Sequence, residues 1–321
     1  MTEGLQWGLL VIAYLFLAGL GAGALTVSSS VLLRGGAGGF GGYHFTLARY
    51  GAFIAPIPIM VGSVLLIPEL GSFQAGYWFK WLNLYKTINL SPMSIGTWLL
   101  TLCIIISLVY AFTFLWPDAR PGDRHDILRK AAAWIGVPIG ILVAVYTGVL
   151  LGAMPARPFW NTPVLPMLFL LSSLSTGVAG IILVRSLLHR RSSDVDTEKQ
   201  FHESGYLLTA SDTLLIGFEL LAVFLFFMFA YLTIGRVAES MAVVLPGGSL
   251  APLFWFGFVL VGLLVPVLVE LFYVIPKLLY QRAYVAPRGV EIAVPVIVLV
   301  GGFLLRYVVV VAGQITGPVG I

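Results

Sequence analysis

Eight long apolar stretches constrain this chain more than any other feature of its sequence. Each is close to the ~20 apolar residues that an α-helix needs to cross the ~30 Å hydrocarbon core of a bilayer. Because that core offers no water to the backbone, such stretches must form helices that satisfy their own hydrogen bonds. The predicted spans are Trp7–Leu33, Leu47–Leu70, Ile95–Trp116, Ala131–Leu151, Val164–Leu188, Leu208–Ile234, Ala251–Ile275 and Ile292–Val311.

The composition agrees with this assignment. Of the 321 residues, 59% are hydrophobic and only 10% are charged, whereas a soluble domain carries about 25% charged residues. The intervals between the predicted spans leave no room for a separate soluble domain. The sequence therefore predicts an all-α integral membrane protein in which residues 1–321 form a single polytopic domain.

The basic residues lie mostly on one side of the predicted bundle, and thirteen of the 18 fall in or beside one set of loops. These are Arg34, Arg49, Arg120, Arg124, Arg129, Lys130, Arg185, Arg190, Arg191, Lys199, Lys277, Arg282 and Arg288. Since cytoplasmic loops carry an excess of lysine and arginine, both termini are predicted to be extracytoplasmic, in a multi-pass protein of the cytoplasmic (inner) membrane. The net charge of +4 reflects this topology and does not indicate nucleic-acid binding.

Residues that bind metal cofactors are scarce. Cys103 is the only cysteine, whereas an iron–sulfur cluster is held by about four thiolates. The histidines at positions 44, 125, 189 and 202 lie in or beside the predicted cytoplasmic loops, so they are not placed to ligate a haem between helices. The sequence predicts no haem, no iron–sulfur cluster and no metal site in this chain, and it leaves an organic carrier such as a quinone as the redox partner.

Several polar residues are predicted near the extracytoplasmic face. At a rise of 1.5 Å per residue, Tyr146 and Arg306 lie about 22 Å and about 21 Å from the cytoplasmic ends of their spans, and Gln314 lies about two turns beyond Arg306. A phenol, a guanidinium and an amide could together hydrogen-bond a quinone carbonyl. The structural alternative is that Arg306 pairs with a carboxylate such as Glu69 and that Tyr146 belongs to an aromatic belt.

Three acidic residues lie within or at the edge of the sixth and seventh spans. Asp212 and Glu219 are seven residues apart and therefore share a helix face, and Glu270 lies near the cytoplasmic edge of the next span. Carboxyl groups that lead inward from the cytoplasm resemble a proton relay. Neutral acids that hydrogen-bond to neighbouring helices are the alternative interpretation.

Glycines 19 and 23 lie within the first apolar span rather than after a strand, so they do not indicate a nucleotide-binding loop. Small residues four apart on a membrane helix favour close packing against another helix. The sequence therefore predicts that Gly19 and Gly23 face a neighbouring helix.

Four separated segments stand out along the chain: Tyr14–Gly19; Glu69–Gly71 with Ser91–Ser94 and Gly96; Tyr146–Gly148 with Pro158–Asn161; and Leu305–Tyr307 with Ala312–Gln314. Together they resemble the NrfD-like family of membrane subunits, which includes the membrane subunit of polysulfide reductase. Their order and spacing agree with the family over nearly the whole chain.

The resemblance implies a haem-free anchor that reacts with menaquinone or ubiquinone near the outer face. It also implies a ferredoxin-like [4Fe–4S] subunit and a molybdopterin oxidoreductase as extracytoplasmic partners, the latter acting on the terminal substrate. Tyr146 matches the family tyrosine of the quinone site, whereas Tyr14 and Val11 stand where the family has a histidine and an asparagine. Trp160 and Asn161 are expected near the partner interface.

The leading hypothesis is a subunit that exchanges electrons between the membrane quinone pool and an iron–sulfur partner. Its expected cofactor-binding residues are Tyr146, Tyr14, Arg306, Glu69 and Gln314. One alternative is a proton-translocating module that couples quinone chemistry to proton movement through the acids of spans six and seven. A plain substrate transporter is disfavoured, because the sequence shows no convincing internal repeat with paired broken helices.

Overall fold

The computed structural model describes residues 7–35, 43–69, 82–86, 91–115, 124–189, 195–233 and 235–317. Within these ranges, eight helical segments are long and apolar enough to cross a membrane. The prediction of an all-α integral membrane protein with eight spans is therefore confirmed. The helices are α1 (Leu9–Gly35), α2 (Tyr43–Ile54), α3 (Pro56–Glu69), α4 (Asn83–Lys86), α5 (Pro92–Thr113), α6 (Arg124–Gly152), α7 (Val164–Leu188), α8 (Val195–Leu232), α9 (Arg236–Ser240), α10 (Val265–Tyr280) and α11 (Arg288–Ile315).

Prolines set several of these boundaries. The second span consists of α2 and α3, which are separated at Ala55. Pro56 and Pro58 lack the N–H groups that would continue the hydrogen-bond ladder, so the helix is interrupted at this point. At the start of α5, the Ser91 hydroxyl caps the helix by accepting a hydrogen bond of 3.3 Å from the amide of Ser94.

Two spans begin much earlier than predicted, by about two turns or more. α6 begins at Arg124 rather than Ala131, and α8 begins at Val195 rather than Leu208. Both extensions are polar, and the extension of α6 carries a salt bridge of 2.8 Å between Lys130 and Asp126. Hydropathy marks only the length of helix that crosses the hydrocarbon core, so it does not reveal helix that continues beyond the membrane.

α1 lies at the centre of the bundle, where it packs against α2, α3, α6, α7 and α11. A Cβ atom at Gly23 would collide with the backbone of Ser173, and one at Gly177 would collide with the backbone of Gly23. A Cβ atom at Gly19 would lie 2.8 Å from Nη2 of Arg306. The predicted packing role of Gly19 and Gly23 is confirmed, since α1 and α7 touch through their backbones here.

The seventh span differs from the others because its first half, Leu253–Leu264, is a π-helix that continues into α10. Gly262 of this π-helix lies against Gly301 of α11, and a Cβ atom at either position would lie 2.6 Å from the other Cα. The unusual winding therefore occurs where two spans approach each other at backbone distance.

The two ends of the described residues meet at one face of the bundle. The side-chain oxygen of Gln314 accepts a hydrogen bond of 2.9 Å from the amide of Trp7, and its nitrogen donates one of 3.1 Å to the Trp7 carbonyl. An even number of spans requires such a shared face. We name it the outer face, following the distribution of basic residues, and we name the opposite face, which carries Arg34 and Arg124, the basic face.

Candidate functional site

A cavity of about 140 Å³ lies near the outer face, among α1, α3, α5 and α6. Its wall is mostly apolar and includes Val11, Leu66 and Leu100, and two tyrosines, Tyr14 and Tyr146, interrupt it. The volume is close to the ~150 Å³ of an engineered protein cavity that holds a benzene ring. A single six-membered ring therefore fits within it. We refer to it as the tyrosine cavity.

The hydroxyl groups of the two tyrosines have no hydrogen-bond partner among the described residues. Tyr14 is 1% exposed and Tyr146 is 7% exposed, yet neither hydroxyl makes a hydrogen bond within the part of the molecule that the structure describes. Neither hydroxyl oxygen is among the fully buried unpartnered atoms of the described residues, so both are accessible from the cavity, where they can hydrogen-bond a bound molecule. Two such groups at one cavity indicate a site for a ligand with hydrogen-bonding groups.

A glycine on the neighbouring helix makes room for Tyr146. The ring projects from α6 onto Gly96 of α5, and a Cβ atom at Gly96 would overlap Cζ and the hydroxyl oxygen of the tyrosine. Two residues beyond Tyr146, a Cβ atom at Gly148 would lie 2.5 Å from Cα of Pro166 at the start of α7. Close helix contacts on two sides thus hold the tyrosine at the cavity.

The cavity reaches the surface of the bundle between α3 and α5. Glu69 at the end of α3 and Met93 in the first turn of α5 both line the cavity, and both side chains are exposed. In a bilayer this opening lies close to the outer headgroup level, where apolar molecules and water are both available. The structure therefore brings together three of the predicted site residues, namely Tyr14, Tyr146 and Glu69.

Gln314 holds the wall of the cavity rather than lining it. Its two hydrogen bonds to the Trp7 backbone fix a residue that does line the cavity. The Trp7 indole also stacks on that of Trp160, with ring centroids 5.3 Å apart. The predicted contact between Gln314 and the ligand is replaced in the structure by a supporting role.

Arg306 is fully buried and points into the centre of the bundle. Its guanidinium donates hydrogen bonds to the carbonyl oxygens of Gly302 at 2.7 Å and Leu15 at 3.3 Å. It also donates to the hydroxyls of Ser172 and Ser173, each at 3.0 Å. Neutral acceptors on three helices therefore satisfy this cation.

These contacts correct two expectations for Arg306. It is not among the residues that line the tyrosine cavity, and its four hydrogen bonds are made to acceptors other than Glu69. The helical rise predicts the depth of a side chain but not the direction in which it points. Arg306 nevertheless contacts Leu15, the neighbour of Tyr14 in α1, so it supports the helix that presents the tyrosine.

Glu219 lies next to this arginine in the interior. Its carboxyl group lies close to the Ser172 hydroxyl, which accepts a hydrogen bond of 3.0 Å from Arg306. The Glu219 side chain is buried, and one of its oxygens has no hydrogen-bond partner within the described residues. The serine therefore connects a buried cation to a buried acid.

The other two predicted acids lie together between α8 and α10. Asp212 accepts a hydrogen bond of 2.8 Å from Ser175, and Glu270 accepts one of 3.0 Å from Thr213. The two carboxyl groups are neighbours, and both are buried. We name the set Glu219, Asp212 and Glu270 the acid line.

A polar cluster at the basic face continues the acid line. Arg185 and Glu291 form a buried salt bridge of 3.4 Å. Tyr284, in the loop before α11, shares a hydrogen bond of 3.0 Å with Thr209 and lies near both Glu270 and Glu291. Burial raises the pKa of Tyr284 to about 12.

Sequence reasoning missed these polar partners, although a signal for them existed. Four hydroxyl residues occur close together in the apolar span of α7, at positions 172, 173, 175 and 176. Hydroxyl groups inside a membrane protein tend to hydrogen-bond across helices. All four were therefore candidates for the neighbours of buried charges, and Ser172, Ser173 and Ser175 have that role.

Comparison with known proteins identifies the family. The family model described as "Polysulphide reductase, NrfD" matches residues 1–318. The chain belongs to the NrfD family. The resemblance predicted from four short segments is therefore confirmed.

Individual NrfD relatives match over most of the sequence. The protein is 31% identical over 318 residues to a polysulfide reductase chain of Wolinella succinogenes, with 96% of this sequence and 94% of that one covered. It is 27% identical over 337 residues to the protein NrfD of Escherichia coli, with 98% and 96% covered. It is 22% identical over 257 residues to a selenate reductase subunit of Mesobacillus selenatarsenatis, with 69% and 56% covered.

The NrfD segment Pro158–Asn161 lies in the connection between α6 and α7 at the outer face. Trp160 is only 1% exposed, its N–H donates a hydrogen bond of 2.7 Å to the Val309 carbonyl, and a Cβ atom at Gly313 would overlap its indole. The Trp160 side chain thus packs against Trp7 and α11 at the outer end of the bundle, and its place near a partner interface stays a prediction. Asn161 is exposed in this connection, and its place near a partner interface likewise stays a prediction.

Proposed function

We propose that this protein is the haem-free, quinone-binding membrane subunit of a multi-subunit respiratory oxidoreductase. It would exchange electrons between the membrane quinone pool and an iron–sulfur partner at the outer face. The observation that carries the proposal is the tyrosine cavity, in which the hydroxyls of Tyr14 and Tyr146 lack partners among the described residues. Two of its relatives are named as parts of a polysulfide reductase and of a selenate reductase, and this supports a role as one subunit of a reductase.

The chemistry of the cavity residues fits a quinone head group. When bound, a quinone supplies reversible uptake of electrons and protons at its two carbonyl oxygens. Tyr14 and Tyr146 would donate hydrogen bonds to these oxygens and so orient the ring and stabilise negative charge on it. Apolar residues such as Val11 and Leu100 would cover the ring faces and exclude water.

Glu69 occupies the position at which protons would enter or leave. Its carboxyl group lines the mouth of the tyrosine cavity and is exposed. A carboxyl group that reaches both the cavity and the surface can accept a proton from one side and release it to the other. Glu69 would therefore connect the tyrosine hydroxyls with outer water.

The test is the substitution Tyr146→Phe in the assembled complex. Loss of one hydrogen-bond donor to a developing oxyanion lowers turnover about 10²-fold in enzymes where it has been measured, and we expect a similar loss of quinol-dependent turnover with assembly intact. The matched control is Tyr110→Phe, because Tyr110 is equally buried but bonds to Ser28 at 3.2 Å, outside the cavity. Unchanged quinol kinetics in assembled Tyr146→Phe would remove Tyr146 from the site.

The partners can be identified by purification. We propose a ferredoxin-like [4Fe–4S] subunit and a molybdopterin catalytic subunit on the outer side, with Asn161 near their interface. Mass spectrometry of the co-purifying subunits tests both assignments. Extraction of the same sample distinguishes menaquinone from ubiquinone.

We infer a second function, proton translocation coupled to the quinone reaction, from the acid line. Its carboxyl groups are buried, and the polar cluster of Arg185, Glu291 and Tyr284 continues the acid line toward the basic face. At the end of the acid line nearest the tyrosine cavity, the Ser172 hydroxyl lies close to Glu219 and accepts a hydrogen bond from Arg306, which also donates to the carbonyl of Leu15 beside Tyr14. A proton path along these groups would end one residue away from the tyrosine cavity.

Proton uptake by vesicles that contain the reconstituted complex tests this second function. The variant Glu219→Gln keeps the shape of the side chain but cannot carry a proton, so it should abolish quinol-driven proton movement. Glu239→Gln is the matched control, because Glu239 is exposed near the outer face. If Glu219→Gln turns over quinol and moves protons normally, the acid line is structural.

A further inference from the structure

We propose that a groove between α2 and α7 binds an anionic phospholipid of the bilayer. The groove has a volume of about 640 Å³ and lies in the half of the bundle that is closer to the basic face. Its walls include Arg49, Tyr50, Phe53, Ile57 and Leu188. This site is separate from the tyrosine cavity and does not depend on the function proposed above.

The groove is polar at one end and apolar along the rest of its length. Thr46, Arg49 and Tyr50 line the end that lies near the start of α2, whereas Ile57 and Pro58 line the end toward the middle of the membrane. This order matches a phospholipid, which places a polar headgroup at the membrane surface and its acyl chains toward the centre. The groove therefore has the polarity profile of one leaflet.

Arg49 provides the positive charge at the polar end. Its side chain is exposed and forms no ion pair within the described part of the molecule. The guanidinium carbon lies 5.8 Å from the ring centroid of Phe53, one turn further along α2, so the cation lies against the wall of the groove. Basic pockets between membrane helices attract anionic headgroups, and Arg49 meets that description.

The dimensions of the groove fit an acyl chain. The polypeptide advances twelve residues from Thr46 to Pro58, which at 1.5 Å per residue corresponds to about 18 Å. One leaflet contributes about half of the ~30 Å hydrocarbon thickness. An acyl chain that begins beside Arg49 would therefore run along α2 and reach the region of the Pro56 and Pro58 interruption.

The groove is a surface site and not an entrance into the bundle. Leu47, Ile181 and Leu208 form a tightly buried cluster against which Tyr50 and Ile54 pack. This cluster closes the groove on its protein side, so an occupant stays in contact with the bilayer. A quinone head carries no charge to pair with Arg49, and this favours a phospholipid as the occupant.

Native mass spectrometry of the purified full-length protein tests the proposal. The probes are phosphatidylglycerol and phosphatidylcholine with the same palmitoyl and oleoyl chains, titrated separately. One basic residue near an anionic membrane surface contributes about fivefold in affinity, so wild-type protein should prefer phosphatidylglycerol by about that factor. Arg49→Gln should bind phosphatidylglycerol about fivefold more weakly and lose the preference.

Two further variants make the result specific. Arg236→Gln removes an exposed arginine near the outer face, and it should retain the wild-type preference. Ile57→Trp should fill the apolar part of the groove and weaken the binding of both lipids, because Ile57 is 59% exposed within it. The midpoint of thermal unfolding should stay at the wild-type value in all three variants, since the altered side chains lie on the surface.

Three outcomes would overturn the proposal. The first is phosphatidylglycerol binding by Arg49→Gln with wild-type affinity. The second is an equal loss of affinity in Arg236→Gln, which would indicate a general charge effect. The third is loss of lipid binding when the protein is purified with its partner subunits, which would indicate that a protein helix occupies the groove.

Discussion

The tyrosine cavity and the acid line are both polar regions inside an apolar bundle, but the cavity opens to the surface whereas the acid line is enclosed. Tyr14 and Tyr146 have hydroxyls without partners among the described residues, at a cavity whose mouth reaches the surface at Glu69. Arg306, beside the acid line, instead makes four hydrogen bonds to the protein and is fully buried. Hydroxyl groups that face an open cavity indicate a ligand, whereas the acid line lies in the closed interior, where Asp212 and Glu219 each have one oxygen without a partner among the described residues.

The two regions are joined through α1. Arg306 contacts the Leu15 carbonyl, and Tyr14 is the preceding residue. Glu219 shares Ser172 with Arg306 on the other side. A change in the charge of the acid line could therefore shift α1 and, with it, Tyr14 at the cavity. Variants in each region can separate the two contributions.

The largest effect is expected from Arg306→Leu. This variant removes four hydrogen bonds and leaves a void in the centre of the bundle, and such losses amount to about 3 kcal/mol of unfolding free energy. Thermal unfolding in detergent, together with the yield of assembled complex, measures it. Arg306→Lys keeps the charge and should recover part of the stability. A variant Arg306→Leu with wild-type stability would show that these hydrogen bonds do not support the bundle, and it would remove the contrast between the regions.

A smaller and purely functional effect is expected from Gly96→Ala. The added methyl group would occupy the space of the Tyr146 ring tip, so the ring must turn away from the cavity. We expect kcat/KM for quinol to fall about tenfold, the equivalent of about 1.4 kcal/mol, with little change in the midpoint of thermal unfolding.

The matched control for this variant is Gly217→Ala, because a Cβ atom at Gly217 meets no atom within 4 Å. It should leave both kinetics and stability unchanged. Wild-type kinetics in Gly96→Ala would mean that the direction of the Tyr146 ring does not matter, which would weaken the assignment of the cavity as the quinone site.

Much of the fold could be predicted from the sequence because hydrophobic length and helical spacing are local properties. The eight spans follow from apolar length, and the seven-residue spacing of Asp212 and Glu219 places both on one buried face. The break between α2 and α3 follows from Pro56 and Pro58. These features depend on residues that are close together in the sequence.

The arrangement of the site could be predicted only in part, because it depends on contacts between distant segments. Arg306 and Tyr146 have similar depths but point in different directions, and only the packing of α11 against α1 and α7 decides where Arg306 points. The burial of Trp160 depends in the same way on Gly313, 153 positions away. The π-helix at Leu253–Leu264 has no local signal, since it accompanies the contact between Gly262 and Gly301.

The smallest effect is expected from Gln314→Leu, which tests whether the wall of the cavity needs its support. The substitution removes the two hydrogen bonds that hold the Trp7 backbone, at a cost of about 1–2 kcal/mol in unfolding free energy. Because Trp7 lines the cavity, KM for quinol should rise about threefold while kcat stays constant. This is the result expected when a substitution weakens the binding of the substrate and of the transition state equally.

Gln200→Leu is the matched control for this change, because Gln200 is exposed on α8, far along the sequence from the residues of the cavity. It should alter neither KM nor stability. A fall in kcat without a change in KM in Gln314→Leu would contradict the supporting role, because it would mean that the amide stabilises the reaction itself. Gln314 would then belong with Tyr14 and Tyr146 among the groups that contact the ligand, and it would no longer count as a residue that only supports the cavity wall.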